Sequence, residues 1–343
     1  LNLISQKQVV SGLKKKAASP HKVLSSEIKV QETHISWIFL TGLYAYKIKK
    51  ELKFGKILNF SSLSLRKKYC QKEVAINQVL CSDMYKGVVK IIRKNGNIRF
   101  TNLEHEGTPL EYAVKMLEIP QKFRMDNLIA ANKIGLNILE KLTEILVKFH
   151  FSTPTNAKIK SYGQPRFMKK KIDENFETLA KLNTNNEIVH FYRKLISFIK
   201  NNKPLFYKRI IEDKIREIHG DLYLRNIFII NNKVSRFYLY DRIEFNDSLR
   251  YADIAEDVAH LSMDLDYYKR NGLRRYFISK YIEKSNDNSL QDLLYFLMCY
   301  KACVRAKVSL FRAKAEKIVE KRKTQLEESK DLLELAGSYL ESF

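Results

Sequence analysis

Between Glu27 and Lys49 apolar and polar positions alternate in short runs, the period of half-buried strands. Glu27–Val30 and Ser36–Leu40 flank the polar segment Gln31–Ile35, and Tyr44–Lys49 follows a Thr41–Gly42 turn, which predicts a three-strand meander. Ser61 and Ser62 offer an N-cap for a helix running to about Leu80. Its Leu65, Tyr69, Val74 and Leu80 are expected to face a core, with Arg66, Lys67, Lys68, Gln71 and Lys72 mostly toward solvent. A hairpin follows, Gly87–Arg93 and Asn97–Thr101, about an Asn95–Gly96 turn that supplies the positive backbone angles of a tight reversal. Glu111–Met116 reads as a last strand, broken at Pro120. From about Asp126 the period becomes helical. Leu128, Ile134, Ile138, Leu142, Ile145 and Phe149 recur at three- or four-residue steps and predict a helix buried along one face. Phe167–Phe206 is helical with polar interruptions. A strand-like block then interrupts the helices: His219–Asn226, Ile227–Ile230, an Asn231–Asn232 turn and Arg236–Tyr240. Helices resume at Tyr251–Tyr267 and continue to the end. The predicted fold class is α+β in two lobes. A small antiparallel-sheet lobe with one helix spans residues 1–118, and a larger, mainly helical lobe spans 119–343.

The composition fits a globular chain: 343 residues, 45% hydrophobic and 29% charged, long enough to bury a core without staples. Cys70, Cys81, Cys299 and Cys303 are too few and scattered for a disulfide scaffold, and no nearby His or Cys pair completes a zinc set with Cys299 and Cys303. Buried thiols are expected. Ile35–Leu40 and Ile227–Ile230 fall far short of the roughly 20 apolar residues of a membrane span. The polar, lysine-rich start carries no cleavable leader pattern. A soluble, cytoplasmic protein without a membrane partner is the expectation.

Sixty-two Lys plus Arg against 38 Asp plus Glu give a net charge of +24, which would suit nucleic acid, an acidic membrane or an anionic substrate. The cations are dispersed, however, with short clusters at Lys14–Lys16, Lys169–Lys171 and Arg274–Arg275. A general bias toward Lys, Ile and Asn accounts for the charge, so a solvated basic surface is expected over a nucleic-acid site.

The sharpest chemistry lies in His219-Gly220-Asp221-Leu222-Tyr223-Leu224-Arg225-Asn226. An Asp followed five residues later by Asn, then a short hairpin and Asp241, is the spacing used for phosphoryl transfer in kinase-like folds. A hydroxyl acceptor needs a carboxylate to take its proton as phosphorus is attacked, and Asp221 fits that role. The triphosphate needs Mg²⁺, a hard ion that prefers oxygen, and Asn226 and Asp241 offer it. His219 would tie the loop down through its imidazole. On the third strand alternation puts Ala45 and Lys47 on one face, where the small residue leaves room for adenine and the lysine reaches phosphates. Lys49 shares that face; Lys47 is preferred for its spacing from Ala45. Glu73, midway along the following helix, can pair with the lysine.

These residues carry a resemblance. The runs Glu32–Trp37, Tyr44–Lys50, Glu111–Met116, His219–Leu222 and Ile243–Asp247 with Leu249–Arg250 are similar, in order over about residues 25–268, to the aminoglycoside phosphotransferase superfamily. More narrowly, they resemble the kinase-like half of bifunctional aminoglycoside phosphotransferase/ATP-binding proteins. The resemblance implies a two-lobed protein-kinase-like fold that binds ATP and Mg²⁺ in its cleft. It implies transfer of the γ-phosphoryl group to a hydroxyl of a small molecule: an aminoglycoside, a sugar or another metabolite. It further implies Asp221 as catalytic base, Asn226 and Asp241 as metal ligands, and adenine contacts from backbone groups near Val114 and Met116. Departures are visible. Glu32–Ser36 lacks the phosphate-loop glycines, leaving amides and hydroxyls of Thr33, His34 and Ser36 to meet phosphate. Asp241-Arg242-Ile243 puts a large cation where Asp-Phe-Gly has Phe. No G-x-x-x-x-G-K-[ST] occurs, so the P-loop ATPase activity of longer relatives is not expected. Asp253 and Asp257, four apart on one expected helical face, correspond to acids that anchor the catalytic loop in relatives. Glu244 and Asn246 either position the metal strand or touch substrate.

Two other readings compete. A protein kinase is disfavoured by the glycine-free loop and the lack of an Ala-Pro-Glu segment. A nucleotide-sensing regulatory module, with the charged Ala313–Leu340 helix engaging nucleic acid or a partner, would bind ATP without turnover. The joint presence of Lys47, Glu73, Asp221, Asn226 and Asp241 favours the kinase.

Overall fold

A computed structural model describes the chain except residues 1–3, 16–17, 22, 24–27, 56, 184–185 and 231–234. Glu27, Lys16 and the expected Asn231–Asn232 turn therefore lie outside the described residues. The chain forms two compact units, residues 1–123 with 228–247, and residues 124–227 with 248–343.

The first unit is built on a six-stranded antiparallel sheet. Its order is Lys29–Glu32, Ser36–Leu40, Tyr44–Lys49, Glu111–Leu117, Tyr85–Lys94 and Asn97–Thr101. The expected meander is present, its first strand shifted to end at Glu32. Asn95 and Gly96, with φ of 51° and 75°, make the expected reversal. Alternation along Tyr44–Lys49 sorts the two faces. Tyr46 and Ile48 join Phe39, Val89, Ile91 and Phe100 in one core, which Val9, Val10 and Leu13 of the helix Gln6–Leu13 also enter. That helix, opened by a Ser5–Gln8 capping box, was not predicted; nor was the small hairpin Lys53–Phe54 with Leu58–Asn59. Ala45, Lys47 and Lys49 take the opposite face.

The helix Leu63–Asn77 starts where predicted, with the Ser62 hydroxyl accepting from Leu65 N at 3.2 Å, but stops before Leu80. Its inner face overturns the expectation. The buried positions are Arg66, Cys70, Glu73 and Asn77, a mostly polar stripe, while Leu65, Tyr69 and Val74 are only half-buried. Arg66 is no surface cation. Its Nε donates to both oxygens of Glu111, at 3.0 and 2.9 Å, and its Nη1 to Phe60 O. Buried polar groups are tolerated there because they meet partners: Glu73 accepts from Lys47 and Lys49, Cys70 lies against Tyr112 O, and Asn77 Nδ2 donates to Glu73 O.

The second unit is helical. The single helix expected from Asp126 is two, Met125–Ala130 and Leu136–Ser152, separated where Asn132 takes a φ of 53°. Pro165–Leu182, Asn186–Asn201 and Lys203–Ile211 fill the segment read as helical with interruptions. The embedded block is a loop and a hairpin: His219–Asn226 closes in a 3-10 turn over Leu224–Asn226 and leads into Ile227–Ile230, paired with Arg236–Leu239. One expectation fails beside it. Tyr251–Asp253 is a strand paired antiparallel with Ile215–Glu217, and the helix begins only at Ala255. Asp253 and Asp257 therefore do not share a helical face. Ala255–Tyr267 is buried from Ala255 to Asp266 and forms the centre of the unit.

The charged C-terminal segment is also divided. Gln291–Ala315 ends in a break, and Val319–Tyr339 follows. Leu332, Leu333, Ala336 and Tyr339 are buried, so the last helix packs into this unit by an apolar edge and leaves a charged face outward. Members of two of the basic clusters are paired with acids within the fold. Lys171 is buried on Glu256 at 2.6 Å, Lys169 reaches Asp173 at 2.6 Å, and Arg274 reaches Asp266 at 2.8 Å. All four cysteines are buried free thiols, as expected. Among the described residues no helix is long and apolar enough to cross a membrane.

Candidate functional site

In the first unit the face holding Ala45, Lys47 and Lys49 meets the polar stripe of Leu63–Asn77. Lys47 Nζ donates to Glu73 Oε1 at 2.9 Å and to Asp241 Oδ1 at 2.5 Å. Lys49 Nζ donates to the other Glu73 oxygen at 2.6 Å and to Glu244. The result is a closed chain, Asp241–Lys47–Glu73–Lys49–Glu244, with three carboxylates about two ammonium groups. Both lysines touch Glu73, so the sequence alternatives are both engaged. They differ in what else they hold: Lys47 takes Asp241, whose side chain is 38% exposed, and Lys49 takes Glu244, whose side chain is 3% exposed. Lys49 is thus sealed into the structure, whereas Lys47 sits beside the accessible carboxylate. Glu244, one of two undecided residues in sequence, is a partner of Lys49. Asn246 donates to Ile57 O at 3.3 Å.

Charge regulation follows from this enclosure. Burial alone would raise the Glu73 carboxyl, but Lys47 and Lys49 overcome it and hold the group down at about 2. Burial pulls the Lys47 ammonium down, yet Asp241, Glu73 and Glu244 raise it well above its ordinary value. Lys47 is therefore cationic at any ordinary pH. Glu244 goes the other way: its burial outweighs Lys49 and pushes its carboxyl up.

Asp241 stands in an unusual backbone state, with φ of 65°. Non-glycine residues in the left-handed region carry strain that the surroundings must hold. Here the holders are visible. The Asp241 amide donates to the buried Tyr85 phenol oxygen at 3.2 Å, and the Arg242 amide donates to Asn77 Oδ1 at 2.8 Å. Arg242, the cation standing in place of Phe, is 1% exposed and its Nη1 donates to Ile76 O at 2.5 Å. It caps the carbonyl end of the helix Leu63–Asn77, where a cation is favoured. Tyr85 and Asn77 were missed in sequence because nothing local marks them.

The Thr33–Ser36 turn is closed on itself. Thr33 N and Oγ1 donate to Ser36 O, at 2.9 and 3.1 Å, and Ser36 N donates to Thr33 Oγ1 at 3.0 Å. Ser36 is fully buried, Thr33 is exposed and His34 is half-buried. Val114 and Met116 lie inside the sheet. Val114 stands opposite Lys47 and Val88, and Met116 opposite Ala45 and Tyr85. Neighbouring strands on both sides take up the backbone groups there. The ladder ends at Leu117, after which Glu118 N donates to Leu43 O.

In the second unit the loop from His219 is held by Asp257. Its Oδ2 accepts from His219 N at 2.7 Å and its Oδ1 from Gly220 N at 2.9 Å. Gly220 has φ of 87°, a conformation open to glycine without cost. Asp257 Oδ2 also meets His150 Nε2 at 3.1 Å, and His150 Nδ1 meets Tyr281 OH at 2.7 Å. Burial would raise the Asp257 carboxyl, but His150, His219 and these hydrogen bonds hold it at about 2. The loop is pinned again where Leu224 N donates to Asp264 Oδ2 at 2.8 Å. Asp253 serves a different purpose, pairing with buried Arg209.

Between these pins sit the predicted chemical groups. The Asp221 side chain is 42% exposed. Asn226 Nδ2 donates to Asp221 O at 2.9 Å and to Asp221 Oδ2 at 3.1 Å, which leaves its carbonyl oxygen as the end of the amide able to meet a cation. His219 is buried, and its Nδ1 accepts the Asp221 amide at 3.3 Å. Asp257→Asn is expected to destabilise the chain by about 1–3 kcal/mol, because an amide nitrogen would face the donors of His219 and Gly220. Urea unfolding monitored by circular dichroism checks this.

No family model matches the chain. It is 29% identical over 289 residues to uncharacterized proteins of Mycobacterium tuberculosis and Mycobacterium bovis, covering 83% of this chain and 55% of theirs. The chain thus spans about half the length of the curated relatives it matches. Among solved structures it is similar to a choline/ethanolamine kinase family protein from Mesorhizobium loti, with a TM-score of 0.49 and 11% identity over 98% of this chain and 100% of that one. It is similar to an ethanolamine kinase of Plasmodium vivax, with a TM-score of 0.47 and 12% identity over 88% and 81% of the two chains. It is also similar to an aminoglycoside phosphotransferase from Alicyclobacillus acidocaldarius, with a TM-score of 0.41 and 12% identity over 100% and 96%.

Proposed function

We propose that the chain is a phosphotransferase that moves the γ-phosphoryl group of ATP to a hydroxyl of a small molecule. The observation that carries this reading is the Lys47 ammonium held between buried Glu73 and the accessible carboxylate of Asp241. A permanently charged lysine beside an exposed acid in a held, left-handed turn is poorly explained as packing. It suits a site that presents one cation and one hard oxygen ligand to phosphates. Asp221, positioned by Asn226 and by the pinned loop, is the proposed proton acceptor for the attacking hydroxyl.

The donor chemistry fits Mg²⁺. Asp241 and the Asn226 carbonyl each offer the oxygen that a hard ion prefers, and this ion usually takes one or two protein oxygens with the rest from phosphates and water. Among the described residues no group of three or more His, Cys, Asp or Glu forms a metal cage, which such sharing does not require. When bound, the ion would neutralise phosphate charge. Lys47 would bind phosphate oxygens, Glu73 would keep its ammonium aimed, and Asp221 would orient the acceptor and take its proton. For the adenine, backbone groups near Val114 and Met116 remain proposed as the contacts. Thr33, His34 and Ser36 remain proposed as a phosphate-facing turn, with Thr33 the exposed member.

Calorimetric titration of ATP, with and without Mg²⁺, tests the reading. Magnesium-dependent binding is expected in the wild type and at least tenfold weaker binding in Asp241→Ala. Equal binding in both would remove Asp241 from the metal site, and no binding in either would sink the proposal. Binding without ADP release over a broad panel of hydroxylated metabolites would point instead to a nucleotide-sensing module.

A further inference from the structure

His260 has no role in the chemistry above, yet it lies against it. It follows Asp257 by three residues on the helix Ala255–Tyr267 and is 3% exposed. Its ring stacks on Tyr223 of the catalytic loop, with centroids 5.4 Å apart and 9° between planes. The Arg305 guanidinium also sits over Tyr223, 5.1 Å from the ring centroid. Neither ring nitrogen of His260 has a hydrogen-bond partner among the described residues. That is rare for a buried polar side chain and asks for an explanation.

The neighbourhood supplies one. His260 Nδ1 lies 3.9 Å from Asp221 Oδ1, about 1 Å beyond a hydrogen bond. The other carboxylate oxygen of Asp221 is the one held by Asn226. Burial, and then the positive charges of Lys301 and Arg305, keep the imidazole well below its usual protonation range, so it is neutral and carries a single N–H. Asp221 is partly exposed, whereas His260 is buried against Tyr223.

We propose that His260 is a positioning residue for phosphoryl transfer, donating Nδ1–H to Asp221 Oδ1 once the acceptor hydroxyl is bound. This rests on the phosphotransferase reading and deepens it. With Asn226 on one oxygen and His260 on the other, the carboxylate plane is fixed and its remaining lone pairs face the acceptor.

Two variants and one spectrum test this. His260→Phe keeps an aromatic ring on Tyr223 but has no N–H; His260→Asn places an amide donor near the former Nδ1. The expected result is a fall in kcat of about tenfold for His260→Phe, with KM for Mg·ATP unchanged and most of the rate restored in His260→Asn. In the full chain labelled with ¹⁵N-histidine, His260 Nδ1 should be the protonated nitrogen, and its signal should move in Asp221→Asn with acceptor present. A wild-type rate in His260→Phe overturns the proposal. So do equal losses in both variants, which would mean packing, and a proton on Nε2 with a signal indifferent to Asp221. Absence of turnover in the wild type would sink the parent reading instead. The two failures are told apart because the nitrogen signals report the Asp221 contact without any reaction.

Discussion

Replacement of Glu73 by Ala will destabilise the protein by about 3–5 kcal/mol, the cost of breaking a buried ion pair from one side. Glu73 is fully buried and is the shared partner of Lys47 and Lys49. Its loss leaves two ammonium groups with only Asp241 and Glu244, so repulsion between them adds to the desolvation cost. Urea unfolding at pH 7 measures the effect, and a change within 1 kcal/mol would show that the network is dispensable. The pH dependence has a definite sign. The folded-state pKa of Glu73, about 2, lies below its ordinary 4.5. Its contribution is therefore present above about pH 4.5 and lost as pH falls toward 2. Asp257, also near 2, acts in the same direction below its ordinary 3.8. Glu244 is raised and opposes them, weakening the fold once pH rises past 4.5. Wild-type stability should fall on acidification between pH 4.5 and 2, and the Glu73→Ala variant should fall less steeply because one of these carboxylates is gone.

Asp221→Asn is expected to lower turnover by about 10²–10⁴-fold, the range a positioned general base contributes. The amide conserves shape and keeps an oxygen for Asn226 but cannot take a proton. Since Asp221 contacts the acceptor rather than the nucleotide in the proposed reaction, KM for Mg·ATP should stay within about threefold. Steady-state ADP release with an acceptor identified by screening measures both. A turnover within threefold of wild type would remove Asp221 from its role, and a large rise in KM for Mg·ATP would reassign it to nucleotide binding.

Strands were legible because alternation is a local signal. The Tyr44–Lys49 strand and the Asn95–Gly96 reversal stand where the pattern puts them. The candidate chemistry was legible for a similar reason: Asp221 and Asn226 lie five residues apart, and their backbone and side-chain bonds form within one loop. Failures cluster where a distant partner changes what a residue type means. Tyr251–Asp253 has a composition compatible with helix, but Ile215–Glu217 offers it a ladder. Arg66 reads as a surface cation until Glu111, 45 positions away, neutralises it in the interior.

The sequence by itself determined the strand periods of the first unit, the helical periods of the second, and the order and spacing of the residues proposed for phosphoryl transfer. Tertiary structure decided which side of the helix Leu63–Asn77 is buried, which acid each lysine holds, and that Arg242 caps a helix end. It also brought His260 to Asp221. The physical reason is the range of the interactions. Hydrogen-bonded turns and side-chain periodicity act over a few residues, whereas burying a charge requires a partner that can come from anywhere in the chain. Lys47 finds one 26 positions away in Glu73 and another 194 positions away in Asp241.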